Sequence, residues 1–246
     1  MTLLELRGIG MEYGAIRALA EVDYTVASGE IVGLIGDNGA GKSTLVKIIA
    51  GNFPPTHGTM HFDGREMRFR GPEGARNAGI EVVYQDLALA DNLSGAANVF
   101  LGRELRRRVA GFRIMDHAAM TRRATQLFAE LKSETRPEAP VRTLSGGQRQ
   151  AVAIARTRIA ATKLVLLDEP TASISVRQVG EVLDLMRRMR DHGHSIIFIS
   201  HAMPHIFAVA DRITVLRRGQ KVADKPVGAT SPEEVTALIT GAVERA

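Results

Sequence analysis

The 246-residue sequence has no cysteine. Disulfides, thiolate metal sites and cysteine nucleophiles are therefore excluded, and the absence fits a reducing compartment. Long apolar runs are missing too. No stretch approaches the roughly 18–20 residues a membrane helix needs, so any membrane role is expected to be peripheral, through a partner. The opening MTLLELRGIGMEYG carries Glu5 and lacks a long apolar centre, and does not read as a secretory signal. Internal repeats and low-complexity tracts are absent. What is present is an ordinary globular composition, 45% hydrophobic and 24% charged. That length suits one large domain, or one domain with a sizeable insertion. The formal charge is 32 − 27 = +5. A basic balance suits nucleic acid, acidic lipid or a phosphorylated ligand, and equally a merely soluble surface. The arginine clusters Arg106, Arg107, Arg108 and Arg187, Arg188, Arg190 read as solvated faces.

Short β-branched or Leu-rich runs alternate with helical patterns. Strands are expected at 3–9, 19–27, 30–36, 80–84, 163–169, 195–200, 212–218 and 220–224, with TMHFDG (59–64) as an edge strand. Helices are expected over 42–51, 73–78, 147–161, 176–192 and 203–210. Apolar strands alternating with amphipathic helices predict an α/β fold with a largely parallel sheet covered on both faces. Residues 86–160 break that rhythm. They show no convincing strand, and helix patterns dominate (94–103, 116–133, 147–161). This stretch reads as a helical subdomain inserted into the α/β core. The expected organisation is one domain over 1–246, with its core in 1–85 and 161–246 and the helical part in 86–160.

The strand EIVGLIG runs straight into Gly36-Asp37-Asn38-Gly39-Ala40-Gly41-Lys42-Ser43-Thr44. The spacing is that of the phosphate loop, G-x-x-x-x-G-K-[ST], in the required context of strand before and helix after. Glycines let backbone N–H groups converge with no side chain blocking a phosphate. The helix beginning near Lys42 adds its positive end. Lys42 is expected on the β/γ-phosphates, and the Ser43 hydroxyl on Mg²⁺. Farther on, LVLLDE ends an apolar strand in two acids, Asp168 and Glu169. A buried strand gains nothing from adjacent carboxylates, but at the carboxyl end of a parallel sheet they face a ligand crevice. Asp168 is expected in the Mg²⁺ shell, and Glu169 as the general base for the attacking water.

Many nucleotide hydrolases carry those two elements; Leu144-Ser145-Gly146-Gly147-Gln148 discriminates among them. Serine and two glycines at a helix start form a second anion site. Two chains arranged head to tail could supply one site of each kind per nucleotide. This combination resembles the nucleotide-binding subunit of ATP-binding cassette (ABC) transporters, over essentially the whole chain. The resemblance implies a P-loop ATPase fold with an N-terminal antiparallel β part beside the parallel sheet and the helical subdomain. It implies that Tyr13 stacks on adenine and that Gln85 is the glutamine sensing Mg²⁺ and the transmembrane partner. Gly36, Asn38, Gly39, Ala40, Gly41, Lys42, Ser43 and Thr44 then hold the phosphates. Ser145, Gly146, Gly147 and Gln148 form the signature, Asp168 and Glu169 the Walker B pair, and His201 the switch histidine. Ser175 stands where most cassettes carry an aspartate after the Walker B loop. Serine is a good N-cap, so the next helix is expected to survive; communication between two nucleotide sites is what the change puts in question.

The stretch from Ser200 to Phe207 and the following VADRITVLRRGQ resemble single-cassette ATPases of bacterial simple-sugar importers. The implied protein binds ATP and Mg²⁺, closes as a homodimer on ATP, and couples to integral membrane permeases. It would sit at the cytoplasmic face of the cell membrane, with a sugar-binding protein as an indirect partner and no nucleic acid. No regulatory domain of the maltose-importer kind fits in the residues after Gly241. Three alternatives stand beside this reading. One is a cassette for another cargo, such as an amino acid or lipid. Another is a soluble cassette acting on DNA or ribosomes, which the basic balance supports and the short Lys42–Ser145 spacing opposes. The third is a silent regulator, which Lys42, Glu169 and His201 oppose.

Overall fold

The computed structural model describes residues 1–109, 111–159, 161–172 and 174–243. Ser173 in the loop after Glu169, and Ala160 in the helix expected over 147–161, lie outside the described residues. The chain divides into two compact units. The first comprises residues 1–82, 162–169 and 189–246, the second 83–161 and 170–188.

In the first unit, β1 (Thr2–Tyr13) and β2 (Ile16–Ala27) form an antiparallel ribbon. With β4 (His57–Phe62) and β5 (Arg65–Met67) they make a four-stranded sheet ordered β2-β1-β4-β5. The segment around 59–64 is therefore no edge strand: β4 is paired with β1 on one side and β5 on the other. The short Arg65–Met67 strand escapes a sequence reading because three residues give no period to detect. The second sheet contains β3 (Ile31–Ile35), β6 (Ile80–Val83), β9 (Leu164–Asp168), β10 (Ser195–Ile199), β11 (Arg212–Arg217) and β12 (Gln220–Pro226), ordered β12-β11-β3-β10-β9-β6. Its centre is parallel, while β12 returns antiparallel through the turn at Arg218-Gly219. β3 and β10 are buried at every position, as expected of strands covered on both faces. α1 (Lys42–Ile49) sends Leu45, Val46, Ile48 and Ile49 into a core shared with Leu4, Leu6 and Tyr24 of the first sheet and Leu34, Leu166 and Ile197 of the second. Also in this unit are α2 (Pro72–Ala78), α7 (Met203–Val209) and α8 (Pro232–Thr240).

The second unit holds α3 (Gly95–Val99), α4 (His117–Glu130), α5 (Gly146–Thr157) and most of α6 (Val176–Asp191). Buried Phe100, Met120, Leu127, Phe128 and Val152 supply its apolar interior. Fully buried Asn98 ties the preceding loop down: it accepts from Ala90 N and donates to the carbonyls of Ala90 and Ser94. The helix expected over 94–103 is limited to the five residues of α3. The expectation of no strand in 86–160 is also corrected. β7 (Arg106–Val109) and β8 (Phe112–Met115) form an antiparallel hairpin. Its sequence, RRRV followed by FRIM, is too charged and too short to alternate visibly, and every side chain of the two strands is exposed.

Candidate functional site

Register sets the site in the first unit. Ile199 of β10 pairs with Leu34 of β3 on one side and with Asp168 of β9 on the other. The carboxyl ends of three adjacent parallel strands therefore finish level. They are followed by Gly36, by Glu169, and by Ser200 with His201. Ligand crevices of open α/β sheets form at such ends.

The phosphate loop is shaped by what a side chain would strike. At Gly36 an added Cβ would overlap the Leu216 carbonyl oxygen. At Gly41, φ is +103° and a Cβ would come within 2.7 Å of Leu19 Cδ2 and 2.9 Å of Ala18 O. Asp37 holds the loop from within: its carboxylate accepts from Asn38 N (2.7 Å) and its carbonyl from Ala40 N (3.1 Å). Gly41 caps α1 without any side-chain bond, and no acid occupies the first turn. The positive helix end is thus left for a ligand to answer. Lys42 is only 8% exposed. Its ammonium folds back to donate to the carbonyls of Gly36 (2.6 Å) and Asp37 (3.0 Å). Burial pushes its pKa down, against the pull of Glu169, Asp37 and Asp168.

Asp168 and Glu169 are half-buried. Burial pushes both carboxyls above the usual carboxylate range. Lys42 is the largest opposing influence on Asp168, and His201 on Glu169. Glu169 adopts φ +51°, a left-handed conformation unusual for a non-glycine residue. Such strain runs to about 1–3 kcal/mol and persists where surroundings enforce it; here Glu169 N donates to Ile199 O at 2.9 Å. Ser200 Oγ reaches Glu169 Oε2 at 3.4 Å and accepts from Ala202 N at 3.1 Å. Exposed His201 stands with Nε2 3.4 Å from Glu169 Oε1. That buried oxygen has no hydrogen bond of good geometry among the described residues. Tyr13, 47% exposed, meets Phe53 edge to face with ring centroids 6.1 Å apart.

Ser43 is exposed at the start of α1. A hydroxyl and a half-buried carboxylate are hard oxygen donors that suit Mg²⁺. Among the described residues no group of three or more His, Cys, Asp or Glu could hold a metal.

Gln85 and Ser145–Gln148 belong to the second unit. Gln85 is exposed, two residues beyond β6. Ser145 caps α5 in a reciprocal box: its hydroxyl accepts from Gln148 N (3.3 Å) while Gln148 Oε1 accepts from Ser145 N (2.9 Å). Ser175 and Gln178 repeat the same pair at the start of α6, at 3.4 and 3.0 Å. A Cβ on Gly146 would come within 2.8 Å of Ile174 Cγ2, so the two capped helix starts pack closely. Two side chains at these positions were not singled out as site residues from the sequence. Phe53 gives no signal of its own before Tyr13 is seen against it. Ser200, directly before His201, could have been marked from its place at a strand end.

A phosphate loop and two acids at the carboxyl ends of adjacent parallel strands, in a chain that also carries a Ser-Gly-Gly-Gln helix start, define an ATP-binding cassette of the P-loop class. The sequence profile of the ABC transporter family matches residues 19–172, and the chain belongs to that family. It is 44% identical over 98% of its length to the fructose import ATP-binding protein FrcA of Rhizobium meliloti, covering 95% of that protein. It is 41% identical to the ribose import ATP-binding protein RbsA 1 of Burkholderia cenocepacia, matching over 97% of its own length but only 46% of the relative's. Among solved structures, a nucleotide-free ATP-binding cassette from an ABC transporter superposes with a TM-score of 0.83 at 21% identity. That likeness covers 98% of this chain and 96% of that one, and bears on fold. The α/β P-loop ATPase fold with an N-terminal antiparallel sheet is thus present. The chain is an ATPase by class. No described helix is long and apolar enough to cross a membrane.

Proposed function

We propose that this chain is the ATP-hydrolysing subunit that powers import of a simple sugar through partner membrane permeases, from the cytoplasmic face of the membrane. The observation that carries the cargo class is the 44% identity to a fructose import ATP-binding protein across nearly the full length of both chains.

The chemistry follows from the first unit. The phosphates of ATP enter the loop from Gly36 to Thr44, and Lys42 exchanges its two loop carbonyls for the β/γ-phosphate oxygens. Tyr13, braced by Phe53, stacks on the adenine. Mg²⁺ would be held by Ser43 and Asp168 and would supply charge neutralisation for the phosphates. Glu169 accepts the proton of the attacking water as its oxygen bonds to the γ-phosphorus, and the bond to ADP breaks. His201 orients that exchange from the Glu169 side. Ser145, Gly146, Gly147 and Gln148 serve the nucleotide of a second copy, so two copies close around two ATP molecules. The domain division proposed is one cassette, with the signature in the helical part.

Affinity capture of the tagged protein from its own membranes tests this. A polytopic permease, accompanied by a sugar-binding protein, is the expected result. Ribosomes or DNA with no membrane protein would leave the ATPase standing and remove the transport reading.

A further inference from the structure

The hairpin β7–β8 has no place in the nucleotide chemistry. Residues 103–115 carry five arginines against one acid, Glu104, and that carboxylate already accepts from Gly102 N at 2.8 Å. The strand pairs are Arg106 with Met115, Arg107 with Ile114, Arg108 with Arg113 and Val109 with Phe112. Opposed residues share a face and successive pairs alternate. One face thus presents Val109, Phe112, Ile114 and Arg107; the other presents Arg106, Arg108, Arg113 and Met115. Read along the strands instead, the order is an apolar outermost pair followed by pairs that each carry arginine. Phe112, in the outermost pair, is 75% exposed. A two-stranded ribbon open to water on both faces is marginal by itself. An apolar tip in this position gains from any surface that covers it.

The charge and the layering together select that surface. At about 3.4 Å per residue, the pair Val109–Phe112 stands roughly 10 Å beyond Arg106–Met115. Apolar side chains at an interface enter the headgroup–acyl boundary to about 5–10 Å. A tip at that depth leaves arginines of the next pairs among the headgroup phosphates, which guanidinium groups bind well. We propose that the β7–β8 hairpin docks onto an anionic phospholipid surface, with Phe112 and Val109 entering the bilayer boundary and Arg107, Arg108 and Arg113 engaging lipid phosphates. The arginine run that reads as a solvated face in the sequence becomes a headgroup collar. This contact is separate from the permease, and holds whatever the cargo.

The test uses the full chain and vesicles, with no permease. The chain has no tryptophan, so Phe112→Trp is a single fluorescent reporter at the tip. The expected result is co-sedimentation with phosphatidylcholine vesicles containing phosphatidylglycerol, with a blue-shifted emission and loss of binding in high salt. Neutral phosphatidylcholine vesicles should bind far less. Substituting Arg107, Arg108 and Arg113 together by Ser should weaken binding by roughly two orders of magnitude. Phe112→Asp should remove the insertion while ATP turnover in solution stays unchanged. Failure of the wild-type chain to bind anionic vesicles would overturn the proposal. So would binding that ignores the arginine and Phe112 substitutions, because another surface would then be responsible.

Discussion

Lys42, Asp168 and Glu169 share one problem: each is a charged group that burial disfavours. Phosphates and a cation bound beside them would offset that cost. The sign can be tested at Asp168. Its carboxyl is pushed up on folding, so the folded state holds the proton longer than the unfolded chain. Stability is then lost as pH rises through the folded value. Asp168→Asn removes the loss. Without nucleotide, that variant should melt above the wild type at pH 7, with the difference shrinking below about pH 4, where the unfolded carboxyl also protonates. A lower melting temperature at pH 7 would refute the electrostatic account. Glu169 bears on rate instead. As the proposed base it must lose its proton, and a raised pKa moves the acid limb of the pH–rate profile upward from the usual carboxylate range. Glu169→Gln should abolish that limb and lower turnover by about 10²–10⁴-fold while ATP affinity is kept. A variant hydrolysing ATP at the wild-type rate would remove Glu169 from the role of base.

At the scale of the element, α5 and α6 begin in the same way. Ser145–Gln148 and Ser175–Gln178 are reciprocal caps, each satisfying backbone N–H groups a helix start leaves open. Ser175→Ala should destabilise the chain by about 1 kcal/mol, measured by urea denaturation. Ser175→Asp keeps a good cap, so stability should stay within about 0.5 kcal/mol of wild type. What should change is the ATP dependence of turnover, whose Hill coefficient reports on coupling between two nucleotide sites. An unchanged coefficient would mean that the cap is the whole role of Ser175. The close approach of Ile174 to Gly146 gives this expectation a physical basis, because a change at the start of α6 is made beside the start of α5.

At the scale of the whole molecule, one chain carries a phosphate loop in its first unit and an Ser-Gly-Gly-Gln helix start in its second. Glu169→Gln in the presence of ATP and Mg²⁺ should elute as a dimer in size-exclusion chromatography, and as a monomer without nucleotide. A monomer under both conditions would argue against shared nucleotide sites.

The proposed site residues were legible because a phosphate-binding loop has a fixed spacing. A phosphate fixes Gly36, Gly41, Lys42 and Ser43, and strand ends fix Asp168, Glu169 and His201. Buried strands were legible for a related reason: burial on both faces demands the uninterrupted apolar runs of β3, β9 and β10. Other features required tertiary structure. That β4 is an interior strand depends on its partners β1 and β5, which the residues 59–64 do not encode locally. The alignment of Leu34, Asp168 and Ile199 comes from interstrand register, and Phe53 acquires meaning only against the ring of Tyr13. The β7–β8 hairpin shows the difference most clearly. Its arginines look like solvent-facing charge because sequence reports residue type, whereas layering of apolar tip and basic collar exists only once two strands pair and fix which side chains lie together.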